Sequence, residues 1–217
     1  MNAHGLPGLR ILILAAGFSS RLGRPKALAR IRSVSLLRRT LLLAARLAPA
    51  KIIIVLPRGA ARYRIEARGL DVVFAVNPRR ADGLSSSVRR GITQARYSPA
   101  LLLLPVDLAA VRHADLSRLI SRWRAARRRV VARFIGRPGG TAPERGEGTP
   151  HGGVPLILPR RLYPRALDVT GDIGLRDLIN GLPAGERLLV NLPSAALDVD
   201  TPQDLRAARR RRSGFGP

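Results

Sequence analysis

The chain has 217 residues, 46% of them hydrophobic, which is enough for one large domain with a sizeable core. It contains no cysteine, which excludes disulfides, thiolate catalysis and cysteine-based metal sites and makes a reducing cytoplasm the expected location. The formal net charge of +25 suits an anionic ligand such as a nucleotide, and equally suits nucleic acid. No apolar run reaches the roughly 18 to 20 residues of a membrane span and no secretory signal is visible, so we expect no membrane partner.

Apolar runs alternate with helical patterns along the first two thirds of the chain. The predicted strands cover residues 10–14, 51–56, 71–76 and 100–105, and the predicted helices cover 35–48, 59–68, 84–96 and 113–128. Such alternation predicts a parallel sheet with helices on both faces, and continuously apolar strands are typical of a sheet covered on both sides. We therefore predict an α/β fold of three αβα layers around a Rossmann-like, mostly parallel sheet.

The last third of the chain is less regular. Residues 136–152 are rich in glycine and proline and are predicted to form a mobile loop. Strands are predicted near 154–158 and 187–191, and helices near 160–167, near 173–180 and from about Pro202, where Thr201 or Asp200 could be the cap. We expect a single domain over residues 1–208 and a basic, disordered tail over 209–217.

The loop after the first predicted strand carries the first candidate site. Its sequence from residue 14 to residue 26 is Leu-Ala-Ala-Gly-Phe-Ser-Ser-Arg-Leu-Gly-Arg-Pro-Lys. Small residues at the carboxyl end of a parallel strand let backbone N–H groups approach phosphate oxygens, and Arg21 and Lys26 can neutralise phosphate charge. The spacing matches neither the dinucleotide fingerprint nor the Walker loop. The pattern predicts a phosphate cradle; the alternative is an ordinary strand-to-helix loop.

A second candidate segment opens the helix predicted from residue 84. Gly83 precedes it, and Ser85, Ser86 and Ser87 follow in its first turn. Free N–H groups and three hydroxyls at a helix start suit a base carbonyl or a phosphate. A serine-rich cap with no ligand is the alternative.

Two acidic positions are candidates for a metal site. Asp107 directly follows a buried strand, and its carboxylate suits Mg²⁺, which prefers oxygen ligands and keeps several waters; a cap for the next helix is the alternative. Asp200 is the predicted second ligand and Asp198 competes with it, because alternation along an extended chain puts both on one side. His151 lacks a His or Cys partner at ligand spacing, so we predict that it is exposed.

The sequence of residues 14–26 resembles the signature Leu-Ala-Ala-Gly-x-Ser-x-Arg-x-Gly-x-x-Lys of the MobA-like NTP-transferases. Within this family the chain most resembles the molybdenum cofactor cytidylyltransferases. Four further segments resemble family motifs in the same order: residues 77–88, 101–107, 170–176 and 197–205. The resemblance covers the chain to about residue 208 and implies a fold of the nucleotide-diphospho-sugar transferase type.

The resemblance also implies an activity and a set of site residues. It implies transfer of a nucleotide monophosphate, CMP from CTP, to the phosphate of molybdopterin carrying molybdate, with release of pyrophosphate and with a molybdoenzyme as partner. Ala-Ala-Gly at 15–17 favours CTP over GTP. The implied catalytic residues are Arg21, Lys26 and Asp107, and Mg²⁺ is assigned to Asp107 and Asp200. The implied nucleotide-binding residues are Leu14, Ala15, Ala16, Gly17, Ser19, Ser20, Arg21, Lys26, Gly83, Ser85, Ser86 and Ser87.

Two departures from the family pattern concern the acceptor. Ala109 stands where the family usually has proline, and Gly153-Val154-Pro155 replaces the common Gly-His-Pro. The alternatives are a related enzyme using another triphosphate or a sugar phosphate, and a non-catalytic nucleotide-binding member such as a pterin cofactor chaperone. A nucleic-acid-binding module is disfavoured, because the chain has no helix-turn-helix, zinc or RNP-like signature and few aromatic residues for stacking.

Overall fold

The computed structural model describes residues 6–126, 129–134, 151–171 and 174–210. The strands of these segments are β1 (Leu6–Leu14), β2 (Arg30–Ile31), β3 (Val34–Ser35), β4 (Pro49–Leu56), β5 (Val72–Val76), β6 (Ala100–Pro105), β7 (Val130–Phe134), β8 (Gly153–Pro159) and β9 (Arg187–Asn191). The helices are α1 (Leu36–Ala45), α2 (Ala61–Glu66), α3 (Leu84–Gln94), α4 (His113–Ala125), α5 (Tyr163–Asp168), α6 (Gly174–Asn180) and α7 (Pro202–Arg210).

Seven of the described strands form one sheet in the order β5-β4-β1-β6-β8-β7-β9. All neighbours in it pair parallel except β8, which runs antiparallel to β6 and β7. The remaining two, β2 and β3, form a short antiparallel ribbon. The predicted mostly parallel, three-layer αβα fold is confirmed.

The central strands are buried on both faces over most of their length, which explains the apolar runs at residues 11–14, 52–56 and 100–104. In β1, Ile11 and Ile13 face the core that contains α1 and α4, whereas Leu12 faces the core that contains α3, α5 and α6. Successive side chains of a strand point to opposite faces, so both kinds of position must be apolar when helices cover both. This arrangement leaves the carboxyl edge of the parallel strands free to build a site.

Side chains cap two helix starts, and at α7 the cap is Thr201, one of the two residues predicted for it. Ser35 precedes α1, and its Oγ accepts a hydrogen bond from the Arg38 N–H at 3.0 Å. Thr201 precedes α7, and its Oγ1 accepts from the Asp204 N–H at 3.2 Å while Asp204 accepts from the Thr201 N–H at 2.8 Å. This reciprocal arrangement ties residues 200 and 201 to the start of α7.

Several elements differ from the sequence prediction. Strand β7 and the β2–β3 ribbon were not predicted, and the helix predicted near 160–167 is a 3₁₀ turn followed by α5. Arg209 and Arg210, which we predicted in the disordered tail, lie in α7. Most of the predicted mobile loop, residues 172 and 173, and residues 211–217 lie outside the described residues, so the loop, the rest of the tail and the domain boundary stay predictions. Among the helices that the structure describes, none is long and apolar enough to cross a membrane; the cytoplasmic location stays a prediction.

Candidate active site

A cavity of about 360 Å³ lies at the carboxyl ends of β1 and β6. Its walls come from the loop after β1, the start of α3 and the segment after β6. Ten residues predicted to bind nucleotide or metal line it: Leu14, Ala15, Ala16, Gly17, Ser19, Ser20, Lys26, Gly83, Ser87 and Asp107. The fold therefore brings together most of the predicted site, although its parts are far apart in the chain.

The loop after β1 is fixed at both ends and open in the middle. The Ala15 N–H donates to the Val55 carbonyl at 3.0 Å, which continues the sheet by one residue. Ser19 has a left-handed backbone, with φ of 57°, and its Oγ accepts from the Lys26 N–H at 2.9 Å, which closes the loop. A Cβ atom added to Gly17 would meet nothing within 4 Å. The backbone is thus exposed to the cavity at Gly17, as a phosphate-binding loop requires.

Lys26 joins the two predicted metal ligands. Its Nζ donates to Asp107 Oδ2 at 2.9 Å and also to Asp200 Oδ1. The side chain of Lys26 is only 15% exposed, and the two carboxylates are 23% and 27% exposed. Burial by itself would lower the pKa of Lys26, but the two carboxylates outweigh it and raise the pKa above its ordinary value. The ammonium group is therefore held in its charged form.

Arg21 contacts the same cluster from the solvent side. Its guanidinium lies 2.8 Å from Asp200 Oδ2, and 72% of its side chain is exposed. It does not line the cavity, so it reaches a ligand there only by turning inward from the rim. Since an exposed ion pair contributes little to stability, Arg21 is free to exchange Asp200 for another anion.

Asp198 adds a third carboxylate to this cluster. An isolated antiparallel bridge between Leu108 and Asp198, with the Val199 N–H donating to the Asp107 carbonyl at 3.1 Å, holds the two acidic segments side by side. Asp198 as a whole residue is exposed, yet partial burial of its carboxyl group, followed by repulsion from Asp107, raises its pKa. The cluster therefore carries more negative charge than Lys26 alone offsets.

The donor atoms at this cluster suit a hard divalent cation. They are carboxylate oxygens, and of the three carboxylates that of Asp107 lines the cavity, which leaves room there for water and for ligand oxygens. Among the described residues, no three or more His, Asp or Glu side chains are placed to enclose a metal by themselves. An open site with two protein carboxylates is the arrangement that Mg²⁺ takes when a substrate phosphate completes its coordination.

The three serines at the start of α3 are less available than predicted. All three are buried, and the Asn77 amide donates to Ser86 Oγ at 2.8 Å and to Ser87 Oγ at 3.0 Å. The Ser86 hydroxyl in turn donates to the Gly83 carbonyl at 2.8 Å. Only Ser87 of the three lines the cavity, so ligand contact by Ser85 and Ser86 stays a prediction. Their hydroxyls fix the turn that presents Gly83 and Ser87.

Two residues that the sequence analysis missed also line the cavity. The guanidinium carbon of Arg80 lies 4.2 Å from the centroid of the Phe18 ring, and 55% of Phe18 is exposed. The pair joins the loop after β1 to the segment before α3. An aromatic residue in a loop of small residues was the available signal for Phe18, whereas nothing in the sequence distinguished Arg80 from the many other arginines.

A larger and more open groove, about 880 Å³, lies at the opposite edge of the sheet. Its lining includes Tyr97, Arg129, Arg160 and Glu186. No pair of carboxylates and no glycine-rich loop after a strand is found among the described residues that line it, so we place the candidate chemistry in the smaller cavity.

Comparison with known proteins finds relatives in sequence and in structure. The protein is 35% identical over 147 residues to phosphoenolpyruvate guanylyltransferase of Conexibacter woesei, a match that covers 66% of this chain and 59% of that protein. Its structure resembles Rv0371c of Mycobacterium tuberculosis, with a TM-score of 0.72, 25% identity and coverage of 94% of this chain and 98% of the other.

A further structural relative shows the same fold at lower identity. It is 2-C-methyl-D-erythritol 4-phosphate cytidylyltransferase of Thermus thermophilus, with a TM-score of 0.65, 24% identity and coverage of 92% and 96% of the two chains. The sequence model of the MobA-like NTP transferase domain matches residues 11–188, which include the end of β1, the loop after it and Asp107. The protein therefore belongs to the MobA-like NTP transferase domain family.

Proposed function

We propose that this protein is a nucleotidyltransferase that moves a nucleotide monophosphate, CMP from CTP, onto a phosphate-bearing acceptor. One observation carries the proposal: Lys26 and Asp107 line the cavity together with the open loop after β1, and Lys26 also binds Asp200, which lies behind that wall. A phosphate cradle, a partly buried cation and a carboxylate cluster are the parts that phosphoryl-type transfer needs, because such reactions depend on positioning and charge neutralisation.

In the proposed reaction an oxygen of the acceptor phosphate attacks the α-phosphorus of the triphosphate. The new phosphorus–oxygen bond forms as the bond to the β-phosphate oxygen breaks, and pyrophosphate leaves. The backbone at Ala16 and Gly17 binds phosphate oxygens, and Ala15, whose N–H is hydrogen-bonded to Val55, lines the cavity beside them. Lys26 and Arg21 stabilise the charge that grows on the leaving pyrophosphate. Asp107 and Asp200 would hold Mg²⁺, which when bound neutralises phosphate charge.

The choice of CTP and of molybdopterin as the acceptor rests on sequence resemblance. Ala15 and Ala16 occupy the positions that favour CTP in the family, and both are buried beneath the cavity. If the acceptor is molybdopterin, a molybdoenzyme that receives the product is the corresponding partner.

A second candidate is guanylyl transfer to a small phosphorylated acid. It is favoured by the 35% identity to a phosphoenolpyruvate guanylyltransferase and by Gly153-Val154-Pro155 in place of the family's Gly-His-Pro. Both candidates share the reaction and the residues above and differ in the base and the acceptor.

The test is pyrophosphate release from CTP, GTP, ATP and UTP, each with Mg²⁺ or EDTA, in the presence of molybdopterin or phosphoenolpyruvate. We expect metal-dependent release with one triphosphate and one acceptor. Asp107→Asn should lower kcat/KM at least about 100-fold, because it removes charge from the reacting centre. Asp71→Asn is the matched control, since Asp71 lies 84% exposed beside Lys51. Equal activity of Asp107→Asn and the control would contradict the proposal.

A further inference from the structure

A second, smaller cavity adjoins the proposed nucleotide cavity. Its volume is about 160 Å³, and Leu84 lines both. Apart from Leu84, the smaller cavity is lined by Leu156, Leu175 and Ile179 on its apolar side and by Arg133, Gly153, Val154 and Arg176 at β7, β8 and α6. Nothing in the nucleotide-binding scheme uses this space or its two cations.

Arg133 is a half-buried cation whose charge is incompletely compensated. Its Nε donates to the Val154 carbonyl, and no carboxylate lies within ion-pair distance of it among the described residues. Burial lowers the pKa of Arg133, with Asp198 opposing the effect and the nearby Arg176 adding to it. A guanidinium in such surroundings gains more from binding an anion than an exposed arginine does.

The backbone beside Arg133 leaves this guanidinium accessible. The Cζ atom of Arg133 lies 3.5 Å from where a Cβ of Gly153 would be, so a glycine at this position keeps the face of the guanidinium uncovered. Among the described arginines, burial also lowers the pKa of Arg39, but Arg39 lines neither cavity. Burial beside a cavity therefore distinguishes Arg133 from the general arginine excess of this chain.

We infer that the smaller cavity is the acceptor's phosphate subsite, in which Arg133 donates hydrogen bonds to two phosphate oxygens and Arg176 adds a second positive charge. The inference rests on the proposed nucleotidyl transfer and deepens it. Because Leu84 lines both cavities, a phosphate in the smaller one would lie next to the triphosphate. The carboxylates of Asp107 and Asp198 also act electrostatically on the Arg133 guanidinium. The apolar wall suits a compact phosphate monoester or enol phosphate whose short body lies against Leu156 and Ile179.

The test is calorimetric titration of inorganic phosphate and of phosphoenolpyruvate into protein saturated with Mg²⁺ and a non-hydrolysable triphosphate. Arg133→Met should weaken binding of both probes roughly 10- to 100-fold, because it removes a charge-assisted contact. Arg133→Lys should recover part of the loss, since it keeps the charge but not the planar fork. Arg176→Met should weaken binding less, and Arg124→Met, at an exposed position on α4, should not change it.

The affinity for the triphosphate separates this inference from the proposed function. We expect it to be unchanged in Arg133→Met, because Arg133 does not line the nucleotide cavity. Two results would overturn the subsite alone, provided that the triphosphate binds normally. One is equal probe affinity in wild type and Arg133→Met, and the other is no probe binding at all. Absence of triphosphate binding would overturn the proposed function, and the same variants titrated without nucleotide would still test the subsite. If Arg133→Met fails to fold, Arg133→Lys and Arg176→Met provide the comparison.

Discussion

Replacement of Lys26 by methionine removes the cation that Asp107 and Asp200 share and keeps a side chain of similar length. Breaking a fully buried ion pair costs about 3–5 kcal/mol, whereas exposed pairs contribute about 0–1 kcal/mol. Lys26 is 15% exposed and its partners are 23% and 27% exposed, so this cluster lies between the two limits. We expect Lys26→Met to lower the free energy of unfolding by about 1–3 kcal/mol.

Urea denaturation at neutral pH in EDTA measures this loss. The chain offers a matched control, because its only other lysine, Lys51, pairs with the exposed Asp71. Lys51→Met should cost less than about 1 kcal/mol. The two variants remove the same chemical group, so the difference between them isolates the effect of the carboxylate cluster.

Mg²⁺ should affect the two variants in different ways. Without Lys26, the carboxylates of Asp107, Asp198 and Asp200 lack their buried counter-ion, and a divalent cation can replace it. We expect Mg²⁺ to raise the unfolding free energy of Lys26→Met more than that of wild type or Lys51→Met. If Lys26→Met is as stable as Lys51→Met in EDTA, or if Mg²⁺ stabilises all three proteins equally, the reasoning about this cluster is wrong.

Three further substitutions test the loop, the packing and a buried hydroxyl. Gly17→Ala should leave the melting temperature unchanged, since the new methyl meets no atom within 4 Å, but should weaken triphosphate binding, measured by calorimetry, because the methyl enters the cavity. Gly91→Ala should destabilise by about 1–3 kcal/mol in urea despite alanine's better helix propensity, because its Cβ would lie 2.3 Å from the side chain of Leu12, which is fully buried; a stability gain would contradict this. Burial raises the pKa of Tyr163 to about 12, whereas in the unfolded chain the phenol ionises near pH 10. The unfolding free energy should therefore be unaffected by this group below about pH 10 and fall by roughly 2–3 kcal/mol as the pH rises to about 12. Tyr163→Phe should remove that part of the alkaline loss, and an unchanged pH profile would show that another group causes it.

Much of the fold could be predicted because its sheet is covered on both faces. Strand β6 and residues 52–56 of β4 are continuous apolar runs, and each is followed by a clear turn or helix signal. Strand β7 was missed because its five residues follow a basic stretch, and its partners β8 and β9 come later in the chain. Its pairing therefore depends on long-range contacts that local patterning does not encode.

The candidate site could be predicted in parts but not in its contacts. Sequence indicated both halves of the site, namely the loop after β1 from its composition and Asp107 from its position after a strand. The halves are distant in the chain, since Lys26 and Asp107, which meet in the structure, are 81 residues apart. The sequence could not show that Lys26 also binds Asp200, or that Asn77 occupies the hydroxyls of Ser86 and Ser87. The role inferred for Arg133 likewise depends on its burial, and in a chain so rich in arginine the sequence does not show which arginine is buried.

The most direct test of the central claim is a thermal-shift panel of CTP, GTP, ATP and UTP, each with and without Mg²⁺, on wild type and on Gly17→Ala. A ligand that binds only the folded protein must raise its melting temperature. We predict a Mg²⁺-dependent rise with CTP that is reduced in Gly17→Ala; a rise with GTP instead would keep the site and change the base. No rise with any triphosphate, or an equal rise in Gly17→Ala, would contradict the assignment of this cavity as the nucleotide site.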